Sequence, residues 1–252
     1  VAENPQPPAE VLVVELDVAT DLRRLGDWLT GAGLRLQRVK PAAGEPLPAD
    51  PTEYAGMVVF GRQHPDAPPW PAGAESLLRK AVRYRVPTLA IGRGAQLLAL
   101  AHGGAVAPAS SAQAGAALAA RRDAADSDVL FERVPFTPDV VQWLRDEISE
   151  LPAGAVLLAA SVHHPHQAFR IGSAAWGLQF HIEPDPGQLA EWAVADPELL
   201  LAAGVDPDVL VAGVAAVGDD LAEVWQPVAA RFAAVVRGEL VTAPPDLPLL
   251  GQ

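Results

Sequence analysis

Thr88-Leu89-Ala90-Ile91-Gly92-Arg93-Gly94-Ala95-Gln96-Leu97-Leu98 is the stretch that decides the fold. Thr88 to Ile91 is a short apolar run and reads as a buried strand. Gly92-Arg93-Gly94 is a sharp turn, because glycine tolerates backbone angles that other residues avoid. A helix from Ala95 to His102 follows with no intervening loop. A strand that feeds a helix through such an elbow holds residue 92 on a tight turn at the carboxyl end of the strand. The positive end of the helix dipole lies beside it, suited to a thiolate or an anion.

Upstream, strand and helix patterns alternate. Val11 to Leu16 is an apolar run, expected as a buried strand. Asp21 to Ala32 places Leu22, Leu25, Trp28 and Leu29 on one helical face, closed by Gly33. Leu34 to Val39 and Met57 to Phe60 read as strands, and Glu75 to Arg85 as a helix stopped by Pro87. This alternation predicts an α/β fold, a mostly parallel central sheet flanked by helices. Downstream, Val140 to Trp143, Val156 to Ala160, Gln167 to Ile171 and Trp176 to Phe180 read as short strands that extend or flank that sheet. Gly172-Ser173 marks a hairpin turn. Helices are expected over Gln188 to Val194, Pro207 to Gly218 and Leu221 to Val236. Leu221, Val224, Trp225, Val228, Phe232 and Val235 of the last share a face that suits core or dimer packing. Residues 1–10 are expected to be a flexible polar segment, 11–240 a single domain and 241–252 a flexible tail.

The chain has 252 residues, enough for one large domain. Its net charge of -13 repels nucleic acid and anionic membranes, so neither is an expected partner. It has no cysteine, which removes disulfides, thiolate metal sites and thiol nucleophiles together. The N-terminal residues lack the basic start and apolar core of a signal peptide. No apolar run reaches the ~20 residues that span a bilayer. A cytoplasmic location is expected, and the wealth of alanine, valine, leucine and proline suits a GC-rich bacterial coding bias.

Further along, Gly177-Leu178-Gln179-Phe180-His181-Ile182-Glu183 sets a histidine and a glutamate two apart at a strand end. The carboxylate could orient the imidazole as a base. This segment and the elbow, in this order, resemble the class I glutamine amidotransferases, whose flavodoxin-like sheet carries a Cys-His-Glu triad. The family's elbow reads Gly-Ile-Cys-Leu-Gly-x-Gln where this chain has Ala90 to Gln96. Its other motif reads Gly-x-Gln-Phe-His-Pro-Glu where this chain has Gly177 to Glu183. Gln142-Trp143 with Asp146 and Glu147, and Gln167-Ala168-Phe169-Arg170, are similar to two further family segments. The likeness runs from about Val11 to Ala193 and is greatest to stand-alone bacterial members similar to the glutaminase domain of GMP synthase.

The resemblance implies that Gly92 stands at the nucleophile position, with His181 and Glu183 as the remaining pair. It implies oxyanion donors at the backbone of Arg93 and in the loop Gly61-Arg62-Gln63, where the family has Gly-Gly-Pro, and a pocket role for Gln96. Leu144 replaces a family histidine and Ile182 a family proline. The expected function is therefore a catalytically inactive homologue that acts by protein interaction or regulation, as a homodimer or with another protein. An alternative is a module in which Arg62 and Arg93 line the old pocket and bind an anionic small molecule. Against that, the arginines could fill the vacated volume, pair with carboxylates or face solvent. A residual hydrolase using His181 and water is a third reading. Ser110 and Ser111, expected on a loop, are poor substitutes for the nucleophile. His163, His164 and His166 are expected to be solvated, Trp143 and Trp176 to be core aromatics. No metal or cofactor is expected.

Overall fold

The computed structural model describes residues 8–17, 21–65 and 69–242, and the elements given are theirs. In chain order they are β1 (Ala9–Glu15), α1 (Arg23–Gly31), β2 (Leu34–Val39), β3 (Gly56–Gly61), α2 (Ala74–Arg83), β4 (Thr88–Gly92), α3 (Arg93–Ala101) and β5 (Ala105–Leu118). Then come β6 (Ala120–Arg121), β7 (Asp139–Glu150), β8 (Val156–Ala160), β9 (Ala168–Ile171), β10 (Ala175–Leu178), α4 (Pro186–Ala195), α5 (Pro197–Ala203), α6 (Pro207–Ala216) and α7 (Gly218–Val236).

The central sheet has the order β2-β1-β3-β4-β10-β9-β8-β6. From β2 to β10 neighbouring strands run parallel; β9, β8 and β6 continue the sheet with antiparallel pairs. Strand alternation divides the core between the two faces. Val11, Val13, Val58, Phe60, Leu89 and Ile91 face one side with α1 and α7. Leu12, Val14, Met57, Val59 and Ala90 face the other with α2 and α3. Burial on both faces explains why these strands are continuous apolar runs. The apolar stripe of α7 lies in this core: Leu221, Trp225, Val228, Phe232 and Val235 are all buried. Trp143 and Trp176 are likewise buried.

β7 flanks the main sheet, one of the two placements expected for it, in a two-stranded ribbon with β5. Two features differ from the sequence reading. Ser110 and Ser111 sit within a strand, not on a loop. β5 is built mostly of alanine, serine and glycine, which carry no hydrophobic period, so its pairing with β7 makes it a strand. β1 begins at Ala9, paired with Leu34, so residues 9 and 10 are part of the sheet. Residues 1–7 and 243–252 lie outside the described residues. Among the described residues no single helix is long and apolar enough to cross a membrane.

Candidate functional site

The elbow forms where expected. Gly92 ends β4 with φ 58° and ψ -120°, a conformation open to glycine at little cost, and Arg93 is the first residue of α3. Gly94 is needed for a different reason. A Cβ there would stand 1.9 Å from the carbonyl oxygen of Val59, so only glycine lets α3 settle this closely on β3. The parallel pairing of β3 with β4 sets Gly61 beside Gly92. The pairing of β10 with β4 brings the chain after β10 to the same edge.

That chain carries His181 and Glu183, both fully buried. His181 is fixed by a backbone bridge to Val141, with N–H···O distances of 2.8 and 3.0 Å. Its Nδ1 lies 2.5 Å from Glu183 Oε1, a hydrogen bond in which the ring N–H donates to the carboxylate. Nε2 has no hydrogen-bond partner among the described residues. It lies against the elbow: a Cβ built on Gly92 would meet His181 Cε1 at 2.6 Å, His181 Nε2 at 2.8 Å and Gly61 O at 2.4 Å. Gly92, His181 and Glu183, the expected triad positions, thus stand together, and the place for a side chain at residue 92 is filled.

Trp192 of α4 closes the pair from outside. Its ring meets His181 edge to face at 5.1 Å and Trp143 at 5.4 Å. Nothing near His181 in sequence signals this contact. The helix itself was legible, because Asp185-Pro186 is an N-cap followed by proline at the first helical position, and Asp185 accepts from Gln188 N–H.

The two arginines take different directions. Arg62 does not join Arg93 in a common pocket. Only 4% exposed, it lies with its guanidinium 5.9 Å from the Trp192 ring centre, and its Nε and Nη1 have no hydrogen-bond partner among the described residues. Burial pulls its pKa below the ordinary arginine value, against the attraction of Asp17 and Asp196. Its backbone N–H donates to Asp17 Oδ2 at 3.2 Å, so that N–H is already engaged. Arg93 turns the other way, into a groove of about 570 Å³, with its guanidinium stacked 4.3 Å from the centre of Trp70. Gln96 also lines this groove and donates to the carbonyl of Asp146 at 2.8 Å. Gln63 donates to the same carbonyl, and its Oε1 accepts from the N–H groups of both Arg145 and Asp146.

The histidine cluster behaves otherwise than its loop position suggested. His163 is exposed, but His164 is fully buried, with Nδ1 2.7 Å from Glu147 Oε2. The backbone of the loop folds back on Ser161, which draws the ring inward. Among the described residues no group of three metal-ligating side chains is placed to hold an ion.

The model of the class-I glutamine amidotransferase family matches residues 52–193, and the chain belongs to that family. Two curated relatives are glutamine-hydrolyzing GMP synthases. That of Porphyromonas gingivalis is 30% identical over 138 residues, 54% of this chain and 26% of its own length. That of Christiangramia forsetii is 36% identical over 104 residues, 40% of this chain and 20% of its own length. The chain therefore spans about a quarter of these relatives or less. A glutamine amidotransferase of Methylobacillus flagellatus superposes with a TM-score of 0.75 at 25% identity, covering 95% of this chain and 98% of that one. A second, from Thermotoga maritima, reaches 0.77 at 23% identity over 89% and 98%. It shows the shared fold, with its mixed sheet between helices.

Proposed function

We propose that this chain is a catalytically silent class I glutamine amidotransferase homologue, acting through protein contacts or regulation and not through glutamine hydrolysis. One observation carries the reading: residue 92 is glycine, and Gly61 O and His181 occupy the space where a nucleophile's Cβ would begin. His181 and Glu183 keep the geometry of a general base and its orienting carboxylate. A base alone cannot form a covalent acyl intermediate, and losing the nucleophile of a comparable triad costs on the order of a million-fold in kcat. Trp192 packs on His181, which is fully buried, and this disfavours attack by a water molecule.

The glutamine hydrolysis named for the two GMP synthases is thus not carried over to this chain. Ammonia release from glutamine by the purified protein tests the reading. The expected rate equals that of the buffer and is unchanged in His181→Ala. A glutamine-dependent rate that disappears in His181→Ala refutes it.

A further inference from the structure

We propose that the groove beside the elbow binds a small organic monocarboxylate, with its charged end against Arg93 and Arg145 and its apolar body against Trp70 and Leu100. The inference goes beyond catalytic silence and does not depend on it. At about 570 Å³ the groove has the size of a small-molecule site. Two arginines reach it from different elements, Arg93 from the start of α3 and Arg145 from β7.

Both cations are held in place before any ligand arrives. Arg93 is stacked on Trp70 and is only 8% exposed, yet it lines the groove. Arg145 is tied to the buried carboxylate of Asp196. Fixed side chains lose little entropy on binding, so contacts to them are not offset by ordering. A planar guanidinium also presents its N–H groups in the geometry that a carboxylate accepts. Burial lowers the pKa of Arg93, and the attraction of Asp17 and Asp146 does not offset that loss of water. Another negative group within reach would stabilise the charged form.

The rest of the groove selects the remainder of the ligand. Gln63 and Gln96 are locked onto the Asp146 carbonyl and form a neutral, fixed floor. Trp70, Leu100, Val106 and Pro108 give an apolar wall. Asp146 at the same groove, and the net charge of -13, oppose a doubly charged anion more than a singly charged one. A monocarboxylate with an apolar body meets all three conditions; inorganic phosphate does not.

Titration calorimetry of the full chain with phenylacetate tests this, with phenylacetamide and inorganic phosphate as controls. Saturable binding of phenylacetate alone is expected. Arg93→Gln should weaken it by at least ~10-fold. Leu100→Trp, which fills the groove and leaves both arginines intact, should weaken it similarly and carries the test if Arg93→Gln fails to fold. Four results would each overturn the proposal: no saturation up to about 10 mM phenylacetate, an affinity far below any specific site; equal binding of phenylacetamide; tighter binding of phosphate; or folded variants that bind as the parent does. Ammonia release is a separate readout, so failure here leaves catalytic silence standing.

Discussion

His181 stands inside the space of residue 92: its Nε2 is 2.8 Å from the position of a Cβ on Gly92, and its Cε1 is 2.6 Å away. Gly61 O is closer still, at 2.4 Å. Placing a cysteine here therefore requires the imidazole and the β3 end to move. Gly92→Cys is expected to lose about 1–3 kcal/mol through its positive-φ backbone and a similar amount, about 1–3 kcal/mol, through overpacking. It should not regain glutamine hydrolysis. Urea unfolding and ammonia release measure the two effects; a stable variant that releases ammonia would show that the site reopens freely.

Trp192 is the second barrier, since its ring packs on His181, Trp143 and Arg62 together. Trp192→Ala removes a large buried side chain and is expected to cost about 3–5 kcal/mol. If the folded variant is treated with a histidine-acylating reagent, His181 should react, whereas in the parent it should be protected. Mass spectrometry of the labelled peptide decides. Protection of His181 in the variant would mean that another group closes the pair.

The elbow and the His181-Ile182-Glu183 pair were legible because each is local: a strand, a turn and two side chains two residues apart. β1, β3 and β4 were legible because burial on both faces makes the middle of each a continuous apolar run. β5 was not, since its small residues form a strand only against β7. α5 was missed although Asp196-Pro197 marks its start, with the Asp196 carboxylate accepting from Leu199 N–H. The divergence of Arg62 and Arg93 depends on Trp192 and Trp70, which come from distant parts of the chain. No spacing rule connects them.

Gln63 links the loop after β3 to β7, because one amide oxygen accepts two backbone N–H groups at 2.6 and 2.7 Å. Gln63→Ala should leave these donors unsatisfied and cost about 1–3 kcal/mol. Hydrogen exchange should speed up at the amides of Arg145 and Asp146 before it does so elsewhere in β7. Unchanged exchange at both would show that other acceptors replace the glutamine.

Asp21 gives a dependence on pH. Partial burial alone would raise its pKa, but the hydrogen bond and charge of Arg38, with a smaller contribution from Arg23, hold it below the ordinary aspartate value. A depressed carboxyl pKa favours the folded state above the unfolded pKa, and the gain is lost as pH falls through the folded value. Asp21 is half exposed, so the gain is at most about 1 kcal/mol. Asp21→Asn should be less stable than the parent at pH 7 and match it near pH 2. A difference independent of pH would assign the effect to packing.

Asp17 couples the two arginines. It is buried, accepts the Arg62 N–H, and attracts both guanidinium groups from the end of β1. Removing one member of a buried charge group leaves the others uncompensated, so Asp17→Asn is expected to cost about 3–5 kcal/mol. Asn keeps an acceptor for the backbone N–H, which makes the loss chiefly electrostatic. Adding Arg93→Gln should then return part of the stability, because the cation that lost the Asp17 charge is itself removed. Urea unfolding of the parent, both single variants and the double variant measures the coupling. Additive losses would show that Asp17 and Arg93 do not sense each other, and that contacts other than Asp17 hold Arg93.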